Sequence, residues 1–420
     1  MDGVQTQTLR QGLDDASGLA ILRNVSLRPW RPRMIGTSCH DVIVIGTGPA
    51  GAMAAYELGK QGIRTLLIEK ATLPRDKPCG GGLTAKVLDL LPFDLDAVIE
   101  QTIRQVELRW RLGKPVLRGG ERVLVGMVQR ARFDALLVDK ALGTGSVTLM
   151  DDTALEALHQ DPGRVEVRTS RGTFVARMVI GADGANGQSA RLLGALRTRH
   201  LMPAIEADIA IEPGELERWQ NRLQLDIGTL RGAYGWVFPK GDRLNVGVGA
   251  ICGAGTRGSD LRAYAKRHRL HTVGATARTL RQVGFVLPLR QPGEQIEWGR
   301  VLLAGDAAGL VEAFTGEGIY WALRSGLIAA ASVSTRLTVG GPPAYEAAID
   351  RELMPDLLAA RRWAHIYLWW PRICHVLPAR SRRVWQGVEH LLNGKRRFSE
   401  LSARLGPLAP LAERIPATLK

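Results

Sequence analysis

Three glycines and an acid near the start of the chain have the spacing of a dinucleotide-binding turn. The apolar run 42–45 leads into Gly46-x-Gly48-x-x-Gly51, and a second apolar run ends at Glu69. The glycines allow a tight turn and a close approach to a pyrophosphate at a helix N-terminus, while Glu69 is placed to accept from ribose hydroxyls. The residues expected to hold the cofactor here are Gly46, Gly48, Pro49, Ala50, Gly51, Glu69 and Lys70.

Three later motifs combine glycine with an acid. Asp183-Gly184 forms a turn between a strand-like and a helix-like segment. Gly305-Asp306 ends the buried run 301–304, and ligands bind at the carboxyl ends of strands in open α/β sheets. Gly316-Glu317-Gly318 precedes a long helix of small and apolar residues, whose N-terminus would aim N–H groups and a positive dipole at a ligand. Each motif alone also fits an ordinary tight turn.

Cys79 and an alternating aromatic stretch are the candidate residues on the substrate side. Cys79 lies between Pro78 and three glycines, which lets backbone approach a ligand and is a poor setting for a core thiol. A loop thiol without a role in turnover is the alternative. Tyr234, Trp236 and Phe238 alternate, so their side chains share one face of a strand. That face is either a sheet core or the wall of an apolar tunnel.

The elements that must position these residues follow two patterns. The first is the strand, turn, helix and strand of a Rossmann-like cofactor domain, expected over residues 41–90, 121–198 and 291–335. The second is a set of short alternating strands, which predicts an inserted antiparallel substrate domain over residues 91–120 and 199–290. A helical basic region follows at 336–420. Residues 1–40 are expected to be a leader that is either disordered or the result of a misplaced translation start. The fold class is therefore α/β with α+β insertions.

A second literal GxGxxG, at 253–258, does not extend this pattern. The strand before it alternates as an antiparallel one does, and no strand-ending acid follows about 20 residues later. We interpret it as a flexible loop, so no second dinucleotide domain and no nicotinamide site are expected.

The net charge of +15 is concentrated near the C-terminus. Residues 351–420 carry 13 basic and 5 acidic side chains, interleaved with tryptophans. This composition suits an amphipathic segment at an anionic membrane surface, or equally a helical cap whose tryptophans are core. An Arg-rich solvated face would also explain the charge. No nucleic-acid-binding module accompanies it, so we expect no nucleic-acid partner.

Composition also bears on the compartment. No apolar run approaches the roughly 20 residues of a membrane-spanning helix. The four cysteines are scattered without metal-ligand spacing, which predicts no metal site and fits a reducing environment. We therefore expect a cytoplasmic protein, with peripheral attachment at the inner face of the membrane as the extension that the basic region suggests.

Taken in order, the motifs resemble the geranylgeranyl reductase family, whose members are FAD-dependent flavoproteins of the p-hydroxybenzoate hydroxylase superfamily. The segments that carry the resemblance are GTGPAG at 46–51, KPCGGGL at 77–83, GADG at 181–184, YGWVFP at 234–239, NVGVG at 245–249, AGD at 304–306 and TGEGI at 315–319. The resemblance implies FAD as cofactor, with the Cys79 segment over the isoalloxazine ring. The residues that it places at the cofactor are Arg130, Asp183, Gly184, Gly305, Asp306, Gly316, Gly318 and Ile319.

The implied reaction is saturation of isolated C=C bonds in a geranylgeranyl or polyprenyl chain by hydride from reduced FAD, a step of isoprenoid lipid biosynthesis. The proton would come from Cys79, Tyr234 or an ordered water, and aromatics such as Trp236 would border the prenyl cavity. The candidate catalytic residues are thus Cys79, Tyr234 and Trp236. An external electron donor, NADPH or ferredoxin, completes the implied reaction.

Two other activities remain as alternatives. One is an FAD monooxygenase of an aromatic or polyketide-like substrate, which the CGGG segment and the TGEGI helix disfavour. The other is a quinone-linked electron-transfer flavoprotein, which would ordinarily need iron–sulfur cysteines that the chain lacks. The sequence leaves open the carrier of the prenyl group, the number of bonds reduced and the oligomeric state.

Overall fold

The computed structural model describes residues 39–120, 122–195, 200–251 and 254–404. The predicted leader lies outside the described residues, except for its last two, which belong to the first strand. Residues 405–420 of the predicted basic region and Gly253 of the second GxGxxG also lie outside them. The rest of that motif is a loop up to Gly258, where a helix begins.

The described residues form eighteen strands and twelve α-helices. The strands are β1 Cys39–Ile45, β2 Thr65–Ile68, β3 Gly82–Thr84, β4 Ile99–Ile103, β5 Gln105–Trp110, β6 Val116–Gly119, β7 Val125–Val128, β8 Val147–Met150, β9 Leu155–Gln160, β10 Val165–Thr169, β11 Gly172–Gly181, β12 His200–Ala210, β13 Arg222–Ile227, β14 Ala233–Lys240, β15 Arg243–Ala250, β16 Thr279–Leu289, β17 Glu297–Trp298 and β18 Val301–Leu303. The helices are α1 Pro49–Lys60, α2 Ala85–Leu90, α3 Arg130–Leu142, α4 Gln188–Leu192, α5 Pro213–Leu216, α6 Gly258–Val273, α7 Ile319–Thr338, α8 Tyr345–Glu352, α9 Met354–Trp369, α10 Pro371–Arg380, α11 Arg382–Leu392 and α12 Phe398–Arg404.

An eight-stranded sheet contains the dinucleotide-binding pattern. Its order is β17-β18-β11-β1-β2-β8, and β10 and β9 extend it antiparallel from β11. Strand β1 lies parallel between β2 and β11, with Val42 opposite both Thr65 and Met178. Val42, Ile43 and Val44 are fully buried, as expected for a central parallel strand that is covered on both faces.

A seven-stranded sheet contains the aromatic stretch. Its order is β16-β12-β15-β14-β13-β5-β6, and every neighbouring pair is antiparallel except β13 and β5. The sheet joins strands from two distant parts of the chain, 105–119 and 200–289. A smaller three-stranded sheet has the order β3-β7-β4.

The helices after α7 pack against both large sheets. The hydroxyl of Tyr345 donates to the carbonyl of Leu303 at 2.7 Å, and that of Tyr367 donates to the carbonyl of Ala233 at 3.1 Å. None of the described helices is long and apolar enough to cross a bilayer. The predicted fold class is confirmed, namely a Rossmann-like α/β sheet, an inserted antiparallel sheet and a helical C-terminal region; the exact domain boundaries stay a prediction.

Candidate active site

In the glycine turn after β1, Gly46 and Gly51 are tightly packed, whereas Gly48 faces open space. At Gly46, φ is +102° and an added Cβ would lie 2.4 Å from the Ala182 carbonyl oxygen, while a Cβ at Gly51 would lie 1.9 Å from the Gly46 oxygen. At Gly48 the nearest atom would be 4.0 Å away. Pro49 begins α1, whose N-terminus has no side-chain cap. Free N–H groups facing open space at a helix start suit a pyrophosphate.

Glu69 ends β2 as a buried acceptor. Its Oε2 accepts from the Thr47 amide at 3.1 Å and from the Thr47 hydroxyl at 2.6 Å, and it lies 3.0 Å from Arg75. Burial alone would raise the pKa of Glu69, but Arg75 and the Thr47 hydrogen bonds outweigh it and hold the pKa below its usual value. Glu69 is therefore an ionised acceptor. Lys70, the next residue, is exposed.

Arg130 is buried at the start of α3 and forms a two-pronged pair with Asp134. Both nitrogen–oxygen distances are 2.8 Å, and Arg75 reaches the same carboxylate at 3.0 Å. Burial lowers the pKa of Arg130, but the Asp134 carboxylate and the Cys79 sulfur outweigh burial and hold it well above its usual value. The arginine therefore lies beside the Cys79 segment, and its role at the cofactor stays a prediction.

The motifs at 183–184 and 305–306 meet at Lys77. Its ammonium is 3.0 Å from Asp306, and an added Cβ on Gly184 would be 3.8 Å from the same nitrogen. Burial raises the pKa of Asp306, but Lys77 and then Arg130 outweigh this and hold it below its usual value. Gly305 has φ of +61° and would contact Ala50 through an added Cβ at 3.0 Å, which joins this turn to the first motif.

One carboxylate oxygen of Asp183 accepts no hydrogen bond from the described residues. Its Oδ2 accepts from the Ser189 amide at 2.9 Å, whereas its Oδ1 is buried with no hydrogen-bond partner among the described residues. Burial is the main cause that raises the pKa of Asp183. A buried carboxylate oxygen without a donor is costly unless a ligand supplies one. This oxygen and the open space above Gly48 fit a bound cofactor with hydroxyl and phosphate groups.

Glu312 fixes the turn before α7 through hydrogen bonds to its carboxylate. Its carboxylate accepts from the amide and hydroxyl of Thr315 and from the amide of Phe314. Burial raises the pKa of Glu312 to about 7, against the lowering effect of these bonds. The turn places Gly316 at φ of +74°, makes Gly318 the N-cap of α7 and buries Ile319 in its first turn. An added Cβ on Gly318 would lie 3.4 Å from Asp306, so the helix N-terminus faces that acid.

Cys79 is half-buried in a segment that is fixed on both sides. Its amide donates to Glu206 at 2.9 Å, its carbonyl accepts from Lys240 at 2.6 Å, and its Sγ accepts from the Gly81 amide at 3.3 Å. Glu206 is buried, and burial, partly offset by Lys240, raises its pKa. The segment is therefore held rigidly with the thiol close to Arg130.

Tyr234, Trp236 and Phe238 form one face of β14, which we call the aromatic face. The Trp236 ring fills the space over Gly247, where an added Cβ would come within 2.1 Å, and its Nε1 donates to Asn245 at 2.7 Å. An added Cβ on Gly80 would lie 2.8 Å from Phe238. The Tyr234 hydroxyl donates to the Thr315 carbonyl at 2.5 Å. The aromatic face thus lies under both the Cys79 segment and the turn before α7.

Several residues at the site were not foreseen from the sequence. They are Arg75, Lys77, Asp134, Glu206, Lys240 and Glu312. Lys77 could have been found, because it lies in the same short segment as Cys79. Glu206 carried a weaker signal as an acid in an alternating apolar strand, and Lys240 carried none.

The comparisons with known proteins agree with this arrangement. A family model described as an FAD binding domain matches residues 39–230. The chain is 30% identical over 329 residues to geranylgeranyl diphosphate reductase of Rhodobacter capsulatus, covering 72% of this chain and 77% of the relative. It is 31% identical over 321 residues to menaquinone reductase of Mycobacterium tuberculosis, covering 70% and 77%.

Solved structures share the fold. A geranylgeranyl bacteriochlorophyll reductase-like protein from Thermoplasma acidophilum has a TM-score of 0.68 at 24% identity, covering 78% of this chain and 87% of its own. The flavin-dependent brominase Bmp2 also has a TM-score of 0.68, at 19% identity, covering 85% and 94%. The family model and these flavoprotein neighbours confirm FAD as the cofactor. On its identity to the curated reductases over most of their length, the chain belongs to the geranylgeranyl reductase family of FAD-dependent flavoproteins.

Proposed function

We propose that the protein is an FAD-dependent reductase that saturates C=C bonds of a geranylgeranyl or other polyprenyl chain. The observation that carries this proposal is the position of the aromatic face. It lies against Gly80 on one side and Gly316 on the other, so two segments expected to border the flavin enclose an apolar wall. An isolated alkene has no polar group that the protein could bind. An apolar wall that positions the alkene therefore suits this chemistry.

The chain's own residues prepare the site for the cofactor. We propose that FAD is held by Gly46, Gly48, Pro49, Ala50, Gly51, Glu69, Lys70, Arg130, Asp183, Gly184, Gly305, Asp306, Gly316, Gly318 and Ile319. Bound FAD, in its reduced form, supplies the hydride. The α7 N-terminus has no side-chain cap, so its positive dipole end favours negative charge on a bound group.

A proton must reach the alkene carbon that does not receive hydride, and Cys79 is the donor we propose. Its thiol is positioned by hydrogen bonds at Sγ, at its amide and at its carbonyl. The Tyr234 hydroxyl donates a hydrogen bond to the Thr315 carbonyl instead, and burial together with Glu312 raises the pKa of Tyr234. Tyr234 is therefore the poorer donor, and Trp236 serves to position the chain.

The activity is tested with the purified, FAD-loaded protein. The flavin is reduced anaerobically, geranylgeranyl diphosphate is added, and the product is examined by mass spectrometry. We expect mass gains in steps of two hydrogens together with reoxidation of the flavin. In a parallel assay under air, oxygen consumption stimulated by substrate, with an oxygenated product, would instead identify a monooxygenase.

Substitution of Cys79 by serine tests its role. If Cys79 is the proton donor, single-turnover reoxidation by substrate slows by about 10²-fold or more while FAD content is retained. Cys374→Ser is the matched control, because this thiol lies on α10 and burial raises its pKa to about 11. Equal rates for the two variants would remove Cys79 from the mechanism.

A prenylated quinone is the second candidate substrate. The 31% identity to a protein named menaquinone reductase supports it. Menaquinone offered in the same single-turnover assay separates the two, because each substrate gives its own mass-shifted product. NADPH and reduced ferredoxin, compared as sources of electrons to the oxidised protein, identify the donor.

We also propose that the protein attaches peripherally to a membrane through one surface of α10 and the end of α9. Trp369, Trp370, Ile373 and Leu377 are each about half exposed, at 51%, 54%, 51% and 48%. Trp370, Ile373 and Leu377 follow the three- and four-residue spacing of one helix face. Exposed Arg372 and Arg380 on the same helix suit anionic lipid. We call these four apolar residues the α10 surface.

A further inference from the structure

Three arginines line a cavity of about 500 Å³, whose lining includes none of the residues proposed to hold FAD. Arg111 comes from the turn after β5, Arg231 from the turn between β13 and β14, and Arg267 from α6. None of the three forms an ion pair with an acid among the residues that the structure describes. Three cations from three separate elements therefore converge on one cavity, which we call the arginine cavity.

The wall of the arginine cavity is built in a constrained conformation. Arg111 and Leu112 have φ of +55° and +59°, values that residues with a side chain seldom adopt. The Leu112 amide donates to the buried Asp226 at 2.6 Å, and the Arg111 Nε donates to the Gly228 carbonyl at 3.2 Å. These bonds hold the Arg111 guanidinium 5.4 Å from the centre of the Trp110 ring. Strain of this kind recurs where a side chain must point at a ligand.

Glycine makes the adjoining space for Trp110. At Gly228 φ is +82°, and an added Cβ would lie 2.5 Å from the Trp110 ring. Trp369, on the α10 surface, also lines the cavity. A cavity walled by tryptophan and arginine presents both cations and flat apolar surface, as a ligand with an anionic head and an apolar body requires.

An apolar cluster connects the arginine cavity to the aromatic face. Leu368 lines the cavity and also packs in a cluster with Ile227, Tyr234 and Phe314. In the sheet register, Trp110 lies opposite Ile227, and Ile227 lies opposite Tyr234. Trp110 and Tyr234 are therefore two strands apart on the same sheet face, about 10 Å. One ligand can span this distance.

We propose that the arginine cavity binds the phosphate-bearing head of the ligand whose chain lies on the aromatic face. This inference rests on the proposed function, because that function supplies the prenyl chain. The shared chemistry is a phosphate or diphosphate anion, for which arginine is the preferred partner. Its source is either the diphosphate of the prenyl substrate itself or the head group of an anionic phospholipid.

Calorimetric titration of the FAD-loaded protein with inorganic pyrophosphate tests the site while the cofactor occupies its own. The Arg231→Gln/Arg267→Gln double variant should weaken binding by about tenfold or more, because each substitution removes a charge-assisted contact to the anion. Arg262→Gln, exposed on α6 but outside the cavity lining, should bind as the unchanged protein does. The single Arg231→Gln variant repeats the test if the double variant loses flavin.

Kinetics and vesicle binding then distinguish the two sources. A raised KM for geranylgeranyl diphosphate, with kcat and the KM for geranylgeraniol unchanged, assigns the cavity to the substrate diphosphate. An unchanged KM with weakened binding to phosphatidylglycerol vesicles assigns it to a lipid head group. If the double variant matches Arg262→Gln in pyrophosphate, substrate and vesicle binding, the proposal is wrong. If the unchanged protein reduces no prenyl compound, the proposed function fails, and the pyrophosphate titration still decides whether the cavity binds phosphate.

Discussion

In the candidate FAD site several buried or half-buried cations have a carboxylate beside them, whereas the three arginines that line the arginine cavity form no ion pair with an acid among the described residues. Lys77 lies 3.0 Å from Asp306, Arg75 lies 3.0 Å from Glu69, and Lys86 lies 2.5 Å from Glu317. Paired charges hold loops in a fixed geometry before a ligand arrives, at the cost of being unavailable to it. The cations at the arginine cavity form no ion pair with an acid among the described residues, so their charges are available to an anion. The candidate FAD site therefore has its loops fixed before the cofactor binds, whereas the arginine cavity has cations that are free to bind an anion.

The tight packing under the first region gives the largest expected effect. Gly51→Ala places a Cβ 1.9 Å from the Gly46 oxygen and should destabilise the fold by about 3 kcal/mol, with loss of FAD. Gly48→Ala is the matched control, because its Cβ has 4.0 Å of room. We expect it to retain the stability of the cofactor-free protein and to lose only FAD affinity. Flavin absorbance and thermal unfolding check both, and equal unfolding temperatures would contradict this description of the turn.

The buried pair on α3 should matter more than the partly exposed pair that Arg132 of the same helix forms with Glu100 on β4. Arg130→Met leaves the Asp134 carboxylate buried with Arg75 alone, and we expect a loss of about 3 kcal/mol in unfolding free energy. Arg132→Met removes the partly exposed pair with Glu100 and should cost less than about 1 kcal/mol. Urea denaturation of both variants measures the difference. Similar losses would show that burial does not separate the two pairs.

Glu312 predicts a pH dependence of the turn before α7. Burial raises its pKa from 4.5 to about 7 in the folded protein, so the folded state binds the proton more tightly than the unfolded state. The resulting stabilisation is fully present below about pH 4.5 and is lost as the pH rises through about 7, by up to about 3 kcal/mol. Glu312→Gln should abolish this slope, and Glu156→Gln, in an exposed pair, should keep it. Urea midpoints between pH 5 and pH 8 decide, and parallel curves for all three proteins would contradict the assignment.

The smallest effect is expected on the α10 surface. Ile373→Glu removes an exposed apolar side chain and should lower the fraction bound to phosphatidylglycerol vesicles by about tenfold, with activity on a soluble substrate unchanged. Val339→Glu is the control, because Val339 is 82% exposed at the end of α7. Vesicle co-sedimentation measures both. Equal losses would mean that general charge, rather than this surface, governs binding.

The two regions also differ in how far the sequence predicts them. Gly46, Asp306 and Gly318 lie in short motifs whose local geometry accounts for their role, so the fold and cofactor could be predicted. Glu206 and Lys240 reach Cys79 only because β12 and β14 pair through β15, and such register depends on the whole sheet. The arginine cavity draws on three elements, and Arg111 lies more than a hundred residues before the other two arginines. No local pattern brings Arg111 to Arg267.

The bond from Tyr234 to Thr315 has a consequence for redox behaviour. It ties the sheet that carries the aromatic face to the turn before α7, whose helix N-terminus we propose to lie beside the flavin. A chain that lies against Tyr234 and alters this bond changes the environment of the flavin at the same time. Because coupled binding equilibria are reciprocal, reduction of the flavin must then change the affinity for the chain by the same factor. The affinity for the substrate and the midpoint potential of the flavin would in that case be thermodynamically linked.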